Sequence, residues 1–154
     1  MTAAEHTVVV ADADTEAFEP VLCHTGWWDC PRSGVSLLRG QPHYFLCEFS
    51  EALDDYPAEY RLWPIDQETL ERELAAWSIF AAWRQSFDSG IKMRPLEENQ
   101  QFVELHAALH AKRVPPADAL VVMPTWHLDT NRSFKDRPPQ HEVSWTVLRT
   151  EWRD

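Results

Sequence analysis

Between positions 43 and 49 the chain alternates in the manner of a strand. His43, Phe45, Cys47 and Phe49 fall on one side of an extended backbone, and Tyr44, Leu46 and Glu48 on the other. A second apolar run, Gly34–Leu38, precedes it across Arg39-Gly40-Gln41-Pro42. That spacing predicts a β-hairpin, with Gly40 free to take positive φ and Pro42 at the strand entry. Further strands are predicted at Pro20–His24, Tyr60–Ile65 and Ala119–Met123, and at the alternating Val143, Trp145 and Val147. Residues 1–19 read as a weakly ordered arm with one strand at Thr7–Ala11. Residues 26–34 read as a loop, 50–58 as an acidic connection, and 128–141 as a long polar loop.

Two helices interrupt the strands. The first is predicted from Asp66, an N-cap residue with Glu68 and Glu71 in the first turn, to about Phe87, with Gly90 able to cap its end. Leu70, Leu74, Trp77 and Ala81 form one apolar stripe, and Ala76, Ile79, Phe80, Trp83 and Phe87 a second beside it, which predicts a central position. The second helix is predicted over Leu96 to Lys112, started by Pro95, with Phe102, Leu105 and Leu109 buried. Strands, two helices and strands again give a single α+β domain over residues 20–154, an antiparallel sheet packed on two central helices.

Composition changes this picture in two ways. Fourteen basic residues against twenty-five acidic ones leave a net charge of -11, which repels phosphate backbones and disfavours nucleic acid as a partner. A basic protein partner or a small polar or cationic ligand is easier to accommodate. The three cysteines are an odd number, and Val8-Val9-Val10-Ala11 is too short for a leader or a membrane span. Together these predict reduced thiols in a cytoplasmic protein that does not enter the membrane.

No complete catalytic motif is present. Four glycines at 26, 34, 40 and 90 make no phosphate-binding loop, and there is no Gly-x-Ser-x-Gly elbow or zinc-deaminase signature. Cys23, His24, Cys30, His43 and Cys47 are all possible zinc ligands. In a strand, however, His43 and Cys47 lie about 13 Å apart, at about 3.3 Å per residue. They cannot share an ion bound at about 2.0–2.3 Å, and no cofactor is predicted. His106 and His110, one helical turn apart, are the other metal candidates.

The stretch Trp27-Trp28-Asp29-Cys30-Pro31-Arg32-Ser33-Gly34 carries most of the chemical interest. Two adjacent Trp on extended backbone diverge, so one faces outward. Trp27, Trp28, Asp29, Arg32, His43 and Tyr44 are therefore the candidate binding set, with Asp29 and His43 as the candidate acid–base pair. Trp27 to Gly34, Gly40 to Phe45, Asp54-Asp55-Tyr56 and the Trp-rich run Trp77 to Phe87 resemble a group of small uncharacterised bacterial proteins. The resemblance covers roughly residues 25–110 and implies a shared fold but brings no activity with it. Cys30 and Leu38 stand where that group has glycine and an aromatic residue. The expectation is a non-catalytic accessory, immunity-like or regulatory module acting through its hairpin and Trp loop. The alternatives are a small enzyme with a pocket between hairpin and helix, and then a metal-binding module.

Overall fold

The computed structural model describes residues 7–9, 14–127, 141–148 and 150–152. Short strands β1 (Thr7–Val9) and β2 (Asp14–Thr15) precede three long ones, β3 (Glu19–Trp28), β4 (Cys30–Leu38) and β5 (Gln41–Leu46). After β6 (Tyr60–Pro64) come helix α1 (Gln67–Asp88), helix α2 (Gln100–Leu109) and a 3-10 turn, His110–Arg113. β7 (Leu120–His127), β8 (Glu142–Val147) and β9 (Thr150–Trp152) follow. All pairings are antiparallel. β1 pairs with β9 in a separate two-stranded sheet, and β2 lies against β8.

The sheet closes on itself. The order β8-β3-β4-β5-β6-β7 is completed by β7 pairing back to β8 from Val122↔Val147 to His127↔Glu142. The fold is therefore a closed six-stranded antiparallel barrel among the described residues, not the expected open sheet on two central helices. Alternation along a strand reveals which side a residue faces but not which strand lies beside it, and here the closing partners are far apart in sequence. The expected loop at 26–34 is instead the end of a long hairpin. Trp28 pairs with Cys30, and Asp29 at the tip takes a positive φ of 65°, which a short polar side chain tolerates. The predicted turn between β4 and β5 forms at Arg39 and Gly40, with φ of 52° and 77°. The loop expected at 128–141 lies, apart from His141, outside the described residues.

Strands β3 to β6 each serve two cores. Phe45, Tyr60, Leu62, Val122, Val143 and Trp145 fill the barrel. Trp145 stands 5.6 Å from both Phe45 and Tyr60, ring centre to ring centre. Their polar tips are satisfied inside it: Trp145 Nε1 donates to Ser36 Oγ at 3.0 Å, and Tyr60 Oη to the Pro31 carbonyl at 2.7 Å. The alternate residues Val35, Tyr44 and Trp63 point outward and meet Trp77 and Ala81 of α1. The helices thus lie on the outer wall of the barrel. Asp66 caps α1 through the Thr69 N–H at 2.8 Å, as predicted. Its buried face, however, is Thr69, Glu73, Ala76, Trp77 and Ala81, while Leu74 and Phe87 are exposed. The predicted second helix is narrower: a 3-10 turn at Leu96–Glu98, a cap from Asn99, and then α2. No helix among the described residues is long and apolar enough to cross a membrane.

At Gly34 the backbones of β3 and β4 leave no room for a side chain. A Cβ there would lie 2.2 Å from the Cys23 carbonyl oxygen and 3.0 Å from the Phe45 ring. Gly34→Ala should lower stability by about 1–3 kcal/mol, seen as a reduced urea midpoint with the β-sheet circular dichroism retained.

Candidate functional site

Three register shifts fall in the β3–β4 pairing, between Val21 and Cys23, His24 and Gly26, and Gly26 and Trp27. Such irregularities re-aim side chains. Beyond them, His24 and Trp27 turn outward to face the helices. Together with α1, α2 and the 3-10 turn they enclose a cavity of about 340 Å³, within the usual range for small-molecule sites. Ala76, Trp77 and Phe80 of α1 form one wall and Phe102 of α2 another.

The floor is a polar cluster built on Glu73, a residue only 1% exposed. Spacings of three and four residues place it on the same face of α1 as Thr69, Ala76 and Trp77. Arg113 grips it with two bonds, Nε to Oε2 at 2.8 Å and Nη2 to Oε1 at 2.7 Å. Tyr44 on β5 donates its hydroxyl to Oε2. The third guanidinium nitrogen, Nη1, lies 2.8 Å from His106 Nδ1. Arginine can only donate, so Nδ1 accepts, and His106 is a neutral imidazole with its proton on Nε2. Burial, and then the charge of Arg113, lower the His106 pKa in the same sense. Burial opposes the charge on Arg113, but the hydrogen bonds and charge of Glu73 outweigh it and hold the guanidinium above its ordinary value. Burial, and then the bond to Glu73, push the Tyr44 phenol up.

Above the floor sits an aromatic cluster. The His24 ring lies 5.2 Å from both Trp27 and Trp77 and stacks on His141 at 5.5 Å. Both its ring nitrogens, and Trp77 Nε1, are buried without a hydrogen-bond partner among the described residues. Three other indoles behave differently: Trp63, Trp83 and Trp145 donate to Lys112, Arg94 and Ser36. Unpaired buried donors are uncommon and costly. Burial, followed by the proximity of His141, drives the His24 pKa down to about 3.

No protein-family model, curated protein or solved structure matches the chain.

The residues singled out by sequence go to separate places. Trp27 lines the cavity, and Tyr44 reaches its floor through Glu73. Trp28 is 63% exposed beside Asp29 at the hairpin tip. Arg32 bonds the Trp28 carbonyl at 3.0 Å and Tyr60 Oη at 3.4 Å, and stacks 4.2 Å over Tyr56. His43 binds the Gln41 carbonyl through Nδ1 at 2.8 Å. Asp29 and His43 are not brought together as an acid–base pair: His43 sits opposite Ser36, seven positions along from Asp29, or about 23 Å at strand spacing. Of the metal candidates, His106 lines the cavity with Nδ1 engaged by Arg113, while His110 is exposed in the 3-10 turn. Among the described residues no three His, Cys, Asp or Glu gather as metal ligands. Sequence reasoning missed Glu73 and Arg113 as site residues. Glu73 looks like one more acid on a charged helix, and its only signal is its place in register with Thr69 and Trp77.

Removing one partner of a buried ion pair leaves the other uncompensated. Glu73→Gln should therefore cost about 3–5 kcal/mol, and Tyr44→Phe about 1 kcal/mol, both read from urea denaturation. His24 gives a pH dependence. Its folded pKa of about 3 lies below its unfolded value of 6.5, so between these the unfolded chain binds more protons and stability falls as pH falls. The loss should begin near pH 6.5 and continue towards pH 3, with His106 contributing in the same direction. Thermal midpoints of His24→Phe should decline less over that window than those of the native protein.

Proposed function

We propose that the chain is a non-catalytic binding module that holds a small organic ligand in the cavity between β3, α1 and α2. The observation that carries this is the pairing of aromatic walls with buried polar groups that lack partners among the described residues. Binding sites combine a mostly apolar lining with a few placed polar groups, and this cavity has that composition. The reactive side chains nearby favour binding over chemistry. Burial raises the Cys23 thiol well above its usual pKa, and the Tyr44 phenol is raised too. Both are poor nucleophiles in that state. His24 is too weakly basic at neutral pH to act as an efficient general base. The hairpin takes part through the side of it that carries Trp27, and the exposed Trp28 at the tip is not needed for this role.

A fragment screen by ligand-observed NMR and thermal shift, with neutral, anionic and cationic compounds, tests the proposal. Thr25 is an exposed residue on the cavity wall, so Thr25→Phe should plug the space without disturbing either core. Binders should raise the thermal midpoint of the native protein by several degrees, since saturation at about 100 times Kd adds about 2.7 kcal/mol. The plugged variant should lose that response while keeping its own midpoint. A screen without binders, or binders indifferent to the plug, overturns the proposal.

A further inference from the structure

The cavity floor contains two full charges, and both are already engaged. Each oxygen of Glu73 accepts a hydrogen bond from Arg113, and Oε2 takes a second from Tyr44. Each nitrogen of Arg113 is engaged in turn, Nε and Nη2 by Glu73 and Nη1 by His106. The pair sums to zero charge, and both lining histidines are neutral. A cation entering the cavity would meet a carboxylate already neutralised by Arg113, and an anion a guanidinium already neutralised by Glu73. Either would lose its hydration with no uncompensated opposite charge to replace it, a cost of several kcal/mol for an unpaired ion.

The ring nitrogens still able to bond are donors, apart from one of His24, and the Thr25 hydroxyl, which gives its proton to Ser33 Oγ, adds one acceptor on the cavity wall. His106 carries its proton on Nε2, which makes no bond among the described residues and, unlike Trp77 Nε1, is not sealed from solvent. Trp77 Nε1–H and the single N–H of neutral His24 stand behind it, covered at present by ring contacts. Aromatic rings line the cavity from the strand side at Trp27 and from the helix side at Phe80 and Phe102, surfaces on which a flat ring can stack.

We infer that the cavity selects an uncharged, flat, ring-containing molecule bearing a hydrogen-bond acceptor, of the kind found in aromatic carboxamides and lactams, with His106 Nε2–H as its first donor. This rests on the binding reading above and narrows it to one chemical class.

Matched probes separate ring, charge and acceptor. Indole-3-acetamide is neutral with an acceptor, tryptamine is cationic and indole-3-acetate anionic at neutral pH, and 3-methylindole is neutral without a carbonyl. Isothermal titration of the full chain should show indole-3-acetamide binding at least about tenfold more tightly than either charged probe. It should also exceed 3-methylindole by about three- to tenfold. His106→Phe should abolish the advantage over 3-methylindole. Tighter binding of tryptamine or indole-3-acetate overturns the inference, and so does an acetamide preference that survives His106→Phe. If His106→Phe does not fold, the ranking of the probes on the native protein decides alone. Should none of the probes bind while the fragment screen yields ligands sensitive to Thr25→Phe, the ligand class is wrong and the binding module stands. Should neither bind, both fall.

Discussion

The outer layer of this protein is fastened to its barrel through one buried carboxylate. Glu73 on α1 holds Tyr44 of β5 and Arg113 of the 3-10 turn, and through Arg113 it reaches His106 of α2. Apolar contact between α1 and the barrel is non-directional and would tolerate a helix sliding along its axis. Four hydrogen bonds of fixed geometry do not. Burying such a pair is seldom the most stable choice available; here it sets the position of α1 relative to β5 and α2. The cavity inherits both its floor and its electrical neutrality from that arrangement.

The location of the cavity follows from how the aromatic residues are shared out. Phe45, Tyr60, Trp126 and Trp145 crowd the barrel interior with ring centres about 6 Å apart or closer, so this small barrel is a packed core without a lumen. Space for a ligand arises outside it, where β3 loses regular register and its side chains stop alternating cleanly between the two layers. A regular strand over His24–Trp27 would have pressed its outward residues flat against α1, as Val35 and Tyr44 do.

Features set by neighbours in sequence were legible. The alternation at His43–Phe45, the turn at Gly40, the Asp66 cap and the end of α1 before Gly90, where φ is 85°, all depend on residues a few positions apart. Barrel closure was not, because period-two patterning is the same in an open and a closed sheet. The run of Gly, Pro and Asp at 26–34 suggested a loop, but Gly34 serves close strand approach and Asp29 a tight hairpin tip. Two apolar stripes on α1 suggested a central helix, whereas Leu74 and Phe87 are exposed and a glutamate takes the buried position. Of the site itself, Trp27 and Tyr44 were singled out for their chemistry, and His106 for a metal. Its partnership with Arg113 depends on contact between α2 and the following turn, which spacing alone does not reveal.

The closing strand also has a consequence for how the chain comes to be folded. β8 is made late, and its Trp145 bonds to Ser36, 109 residues earlier. Until residues 142–147 leave the ribosome, β3 and β7 each present a row of unpaired backbone groups, and the aromatic interior lacks its largest member. Such edges invite pairing with other chains, and contacts so distant in sequence form slowly. A chain in which β7 is available and β8 is not therefore exposes two such edges at once, and the last strand to be made removes both.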